Sequence, residues 1–395
     1  MKVLILSPAL ETAGGIQRYS AALIRAFKDL LGDGQVCCLA LPEGNPGTPQ
    51  SALSKSRYLW NAVRQNALCA PDLIICTHLS LGPIGWLIAR LGGRPYWIVA
   101  HGIEAWVVLP RLKHAALRRA DLVIVTSSFS REQLLERQGI TPESLSRLPC
   151  AVDKGLWEIE PENESRLGFR QDQRVVLTVA RMMASEKYKG HDVVLRSLPS
   201  VVSKVPALAY VIVGDGDDRE RLERLAKDLG LDEHVLFTGS VPDPRLAAIY
   251  QRSEVFVLPS RTVIDDHDSK GEGFGIVFLE AMAYGKPVIG PDHGAPRELI
   301  RPGENGLLVD PENATSVADA LLTLLSNRES ARQMGEAGRK WVDKHYSYAA
   351  FRERLRQILD ASTQVLRTLE MLPGAQPLKG SPACPFDGSR HISSS

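Results

Sequence analysis

The chain has 395 residues, too many for one ordinary core, so two domains are expected. It is 44% hydrophobic and 24% charged, with a formal net charge of +1, which argues against a disordered chain and against a dedicated nucleic-acid binder. The charge is uneven: residues 1–150 hold 16 Lys and Arg against 10 Asp and Glu, a balance of +6 within the chain's +1, which leaves −5 for the rest. The first half is thus expected to face something anionic, a membrane or a phosphorylated acceptor, unless it is simply a solvated basic surface.

The opening MKVLILSPAL is too short for a signal peptide and reads as a first strand over 3–7. Gly14 and Gly15 follow it, then Ile16, Tyr19, Leu23, Ile24 and Phe27 at helical spacing. Nearly continuous apolar runs come next at 35–41, 72–78, 96–102 and 121–127. Such runs suit strands buried on both faces of a parallel sheet. The pattern restarts with RVVLTVAR at 174–181 and continues at 209–216, 234–240, 255–260 and 286–291, with helices such as 218–231 between. The fold class is therefore α/β, two doubly wound Rossmann-like halves of parallel sheet. The domains expected are 1–155 and 156–346, then a helix over 347–370 crossing back to the first, then a disordered tail over 371–395. No apolar run reaches the roughly 18 residues that span a bilayer. Six cysteines show no zinc spacing or C-x-x-C pair, so they read as small core residues in a reducing cytosol.

Ligands of open α/β sheets bind beyond the strand C-termini, and the unusual residues fall there. In GEGFGIVFLEAMAYGKPVIG (271–290), Gly271, Gly273 and Gly275 precede a helix expected from about Ile276 to Tyr284. A loop of free N–H groups entering a helix N-terminus makes an anion site suited to phosphate. Glu272 and Glu280 would repel phosphate, but carboxylates accept well from hydroxyls. Phosphates between two diols describe a nucleotide-sugar, with Glu272 for the sugar and Glu280 for the ribose. A plain glycine turn with a surface glutamate is the alternative. In ARMMASEKYKGHD (180–192), Arg181 ends a strand and Lys187 and Lys189 follow in a loop. Cations there suit a diphosphate and its departing charge, although a solvated basic loop fits the same letters. His101-Gly102 ends another strand and offers a polar contact or proton carrier, or only a structural histidine. Gly214 and Asp215 lie in a G-D-G turn expected near the nucleotide. Neither that turn nor DDHD (265–268) reads as a metal site.

Glu272–Glu280 with seven residues between, Arg181 with Lys189-Gly190, GGIQRY and His101-Gly102 together resemble family-4-type retaining glycosyltransferases of the GT-B fold, over roughly 1–368. The resemblance implies that Glu272 binds donor-sugar hydroxyls and Glu280 the ribose. Arg181 and Lys189, or Lys187 in its place, would hold the diphosphate, and the N–H groups around Phe274, Gly275 and Ile276 would cradle phosphate. His101 would sit beside the donor sugar, and Gly15 would leave room for the diphosphate on closure. It implies transfer of a hexose from GDP-mannose or a UDP-sugar to a lipid-linked, polysaccharide or other glycan acceptor, with retention and no essential metal or other cofactor. The expected setting is cytoplasmic, with RLKHAALRRA (111–120) as a candidate contact to anionic membrane. Two rival readings are an epimerase or hydrolase on the nucleotide-sugar, and a binding protein without catalysis. The motifs leave donor base, sugar and acceptor open.

Overall fold

The apolar runs become strands of two six-stranded, wholly parallel sheets. A computed structural model of the chain describes residues 1–10, 14–41, 52–152, 159–163 and 167–370. The first sheet contains β1 (Val3–Ser7), β2 (Val36–Ala40), β3 (Leu73–Cys76), β4 (Tyr96–Ala100), β5 (Leu122–Val125) and β6 (Leu145–Arg147), in the order β2-β1-β3-β4-β5-β6. The second contains β7 (Arg174–Val179), β8 (Leu208–Val213), β9 (Val235–Gly239), β10 (Val255–Val257), β11 (Val288–Pro291) and β12 (Gly306–Val309), in the order β12-β11-β10-β7-β8-β9. Central strands such as β1, β4 and β8 are buried at every position, because helices cover both faces.

Winding order decides where a ligand goes. In the first sheet the chain reverses direction between β1 and β3, and in the second between β7 and β10. At such a point two neighbouring loops leave in opposite directions and open a crevice beyond the strand ends. The loops after β1, β3, β7 and β10 carry Gly14-Gly15, His78, Arg181 and Glu272.

Several boundaries differ from the sequence reading. β10 ends at Val257 and β11 begins at Val288, so Leu258–Ser260 and Lys286-Pro287 are loop. β6 and β12, of three and four residues, were not anticipated. The cysteine reading needs correction: Cys37 on β2 and Cys69 at the end of helix α2 (Ala52–Cys69) form a disulfide. β2 is an edge strand, only partly buried, and α2 packs over it, which brings the two thiols together across 32 residues. Cys76 and Cys150 are buried free thiols and Cys38 an exposed one, and Cys384 lies outside the described residues.

The helix Tyr348–Glu370 begins against the first domain. The Tyr348 hydroxyl donates to Asp29 at 2.6 Å, and Phe351 meets the Tyr19 ring edge-on at 5.6 Å. By contacts the chain divides into Met1–Leu355 and Arg356–Ser395. Most of the expected interdomain junction (153–158 and 164–166) and the expected tail (371–395) lie outside the described residues. Among the described residues, no helix is long and apolar enough to cross a membrane.

Candidate active site

The two sheets bring their switch-point loops face to face, and the contacts between them are close. A Cβ placed on Gly15 would lie 4.0 Å from Ile276 Cγ2, so the loop after β1 faces the start of helix Ile276–Ala283. Helix α1 (Gly15–Leu31) carries Arg18 across to Glu280 as an ion pair. The second Glu280 oxygen accepts from the Tyr250 hydroxyl at 3.1 Å. Gly102 and Gly273 touch backbone to backbone: a Cβ on Gly273 would stand 2.5 Å from the His101 carbonyl oxygen. Ser127 Oγ donates to the Gly273 carbonyl at 3.1 Å. Gly275 caps the helix at φ +95°, a left-handed conformation that glycine adopts at little cost.

Glu272 and Lys189 are brought together as an ion pair, both largely buried. Burial alone would lower the Lys189 ammonium, but Glu272, backed by Tyr188 and Glu186, outweighs it and holds the amine above its ordinary range. Lys189 is therefore a fixed positive charge beside a carboxylate. Glu280 is 2% exposed, and burial pushes its carboxyl up, with Arg18 and the Tyr250 hydrogen bond opposing. Burial also raises the Tyr250 phenol, and Glu280 adds to this.

His101 is buried at the end of β4, with Nε2 2.7 Å from the Thr77 carbonyl. A carbonyl can only accept, so Nε2 carries the proton. Burial lowers the imidazole below its ordinary range, against Glu104 and that carbonyl, so His101 is neutral at pH 7 with a lone pair on Nδ1. The Glu104 carboxylate accepts from the His101 backbone N–H at 2.6 Å, Tyr19 meets the ring edge-on at 5.0 Å, and His78 stacks on it at 5.9 Å.

Other expected site residues are placed less centrally. Arg181 is 71% exposed and pairs with Glu186, five residues on, and Lys187 lies 3.9 Å from Asp218. Neither joins the Lys189–Glu272 pair. Gly214 and Asp215 follow β8, and the Asp215 carbonyl accepts from Met182 N–H at 2.9 Å, tying this turn to the loop of Arg181. Gly14 precedes α1 as its cap residue, and Phe274 is buried 6.1 Å from the Tyr346 ring. Asp266 in the DDHD run pairs with Arg137 of the first domain at 2.7 Å. Among the described residues, no group of three or more His, Cys, Asp or Glu is placed to hold a metal ion.

Sequence reasoning missed four members. Arg18 stands inside the GGIQRY stretch but looks like a helix-surface cation. Tyr250 looks like a core aromatic. Glu104 lies three residues after His101, a spacing that could have flagged it. Glu298 caps the first domain from outside, accepting from Ser128 N–H at 3.0 Å and Arg147 at 3.3 Å.

Two Rossmann-like sheets facing across such a cleft are the architecture of the GT-B fold. The family model described as "Glycosyltransferase Family 4" matches residues 13–155, and "Glycosyl transferases group 1" matches 159–341. The chain is 34% identical to a GDP-mannose-dependent alpha-(1-6)-phosphatidylinositol monomannoside mannosyltransferase of Mycolicibacterium smegmatis, over 71% of this chain and 73% of that one. A protein of the same description from Mycobacterium tuberculosis is 36% identical over 69% and 71%. The chain belongs to the glycosyltransferase family 4 type, and it is a nucleotide-sugar glycosyltransferase. Its fold matches Anabaena Alr3699/HepE, solved with UDP, at a TM-score of 0.73 and 20% identity, over 91% of this chain and all of that one. Sucrose-phosphate synthase from Thermosynechococcus elongatus matches at 0.73 and 24%, over 93% and 100%.

Proposed function

We propose that this enzyme transfers mannose from GDP-mannose to a hydroxyl of a lipid-linked or glycan acceptor, with retention at the anomeric carbon. The observation that carries the reading is the meeting of Arg18, Glu280 and the start of helix Ile276–Ala283 beside the Lys189–Glu272 pair. The relatives named as GDP-mannose-dependent support the base and sugar.

In this reading Glu280 accepts from the ribose diol, and Arg18 yields one carboxylate oxygen to it. The N–H groups of Phe274, Gly275 and Ile276 and the Lys189 ammonium hold the diphosphate, with Arg181 or Lys187 closing over it. Glu272 accepts from sugar hydroxyls and keeps Lys189 charged. As the glycosidic C–O bond of the donor breaks, Lys189 offsets the charge on the departing phosphate. The acceptor hydroxyl proton passes to that phosphate oxygen as the new C–O bond forms on the same face. Neutral His101 orients the sugar. These cations supply the charge that a metal supplies elsewhere, so activity should survive EDTA.

The acceptor side is read as a cytoplasmic membrane face. Leu91, Val108 and Leu112 are exposed apolar side chains, and Arg111, Lys113 and Arg118 stand on the adjoining helix Arg111–Arg118. Together they support contact with anionic lipid.

The test is thermal stabilisation by GDP-, UDP- and ADP-sugars with and without EDTA, followed by transfer assays. GDP-mannose at a hundred times its Kd should stabilise by roughly 2.7 kcal/mol in both conditions. Arg181→Ala with Lys189→Ala should nearly abolish turnover. Full turnover in that double variant, or stabilisation by no donor, overturns the proposal.

A further inference from the structure

A second charged hollow lies at the N-terminal ends of the second sheet's strands, away from the cleft at their C-terminal ends. The loops that lead into β7, β10 and β11 and the first turns of helix Arg328–His345 line an open hollow of about 490 Å³. Four cations line it, Arg252, Lys286, Arg328 and Arg332, against two carboxylates, Asp172 and Glu254.

The carboxylates are already engaged by other cations. Arg174, which does not line the cavity, holds Glu254 through Nη2 at 2.5 Å and Nε at 3.1 and 3.2 Å. Arg170, also outside it, pairs with Asp172 at 3.1 Å. Positive charge is therefore left in excess on the wall, although Arg328 reaches Glu254 at 3.4 Å and Arg332 pairs with Glu329. Arg252 donates to the Gln171 and Gln173 carbonyls, at 2.5 and 2.8 Å. The Lys286 ammonium has three donors, and among the described residues its one hydrogen bond is to the Gln251 carbonyl at 2.7 Å. Burial drives this amine down to about 8, against Glu254 and with help from Arg252. An anion in the cavity would relieve that penalty.

We propose that this cavity is a second anion site that binds a diphosphate group, with Lys286, Arg252, Arg328 and Arg332 as its cationic wall. Guanidinium forks around one ammonium suit phosphate oxygens, and the volume exceeds what a single phosphate fills. The same group is available as free diphosphate or as part of a nucleoside diphosphate. This site shares no residue with the cleft, so the donor-site reading stands or falls apart from it.

The experiment is calorimetric titration of the full chain with inorganic pyrophosphate and, separately, with GDP. Wild type is compared with Arg328→Gln/Arg332→Gln and with Lys286→Met. Both arginine side chains are 71% exposed, so the double variant should fold. Pyrophosphate should fill two sites on wild type, one of them in the cleft, and binding at the other should weaken at least about tenfold in each variant, while the KM for donor stays unchanged. If the nucleotide is the ligand, GDP fills two sites on wild type and one on the double variant. If free diphosphate is the ligand, only the pyrophosphate isotherm changes. Isotherms for both ligands that are flat, or identical in wild type and variants, overturn the proposal.

Discussion

Glu280 shows how one side chain joins fold and site. It is carried on the apolar helix Ile276–Ala283, where an unpaired carboxylate would be costly. Arg18 and Tyr250 meet that cost from the two domains. Replacing Arg18 with Gln leaves the buried carboxyl with one weak donor and should raise its pKa further. A carboxyl whose folded pKa lies above its unfolded value destabilises once it is ionised, and the penalty fades as pH falls through the folded pKa. Arg18→Gln should therefore lose about 1–3 kcal/mol at pH 7.5 and less at pH 5. Urea unfolding at the two pH values decides this, and an equal loss at both would show that Glu280 is not the group responsible. The same variant should weaken donor binding, because it disturbs the carboxylate assigned to the ribose.

At the scale of elements, the loop Gly271–Gly275 docks on the first domain through backbone rather than side chains. Gly273 has no left-handed φ to protect, so alanine there is excluded only by the His101 carbonyl opposite. The clash is relieved by moving the loops apart, which should leave unfolding nearly unchanged. Misplacing reacting groups by about 1 Å can cost on the order of a hundredfold in rate. Gly273→Ala should thus lower kcat/KM by at least about tenfold at an unaltered Tm, and wild-type kinetics would refute the close docking. This loop was legible in the sequence because glycine and glutamate stand at fixed spacing next to one helix. The long buried strands were legible too, since burial on both faces writes a continuous apolar run. β6 and β12 were not, because three or four residues at a sheet edge make no run. Arg18 escaped because its partner lies 262 positions away, and the Cys37–Cys69 bond because its span of 32 residues matches no local motif. Pairing across domains is a property of the closed fold, and periodicity reports only one element at a time.

For the whole molecule, the cleft is held closed by a few charges and short polar contacts. Arg18–Glu280, Arg137–Asp266 and Arg147–Glu298 all join the first sheet's domain to the second's. The Val108 N–H to Asp266 carbonyl bond at 2.7 Å and the Ser127–Gly273 bond add to them. The two outer ion pairs are partly exposed, and such pairs contribute about 0–1 kcal/mol each. That is a weak clasp, fit for an enzyme that must open to admit a donor and release a nucleotide. Salt shortens the reach of charge from about 10 Å at 0.1 M to about 3 Å at 1 M. Raising NaCl across that range should enlarge the radius of gyration in small-angle scattering, and Arg137→Gln/Arg147→Gln should reproduce the change at low salt. In the proposed reading the donor meets Glu280 on one domain and Gly15 and His101 on the other, so adding GDP-mannose should reverse both. A radius that ignores salt and both substitutions would mean that backbone docking at Gly102 and Gly273 holds the cleft shut, and that opening must begin there.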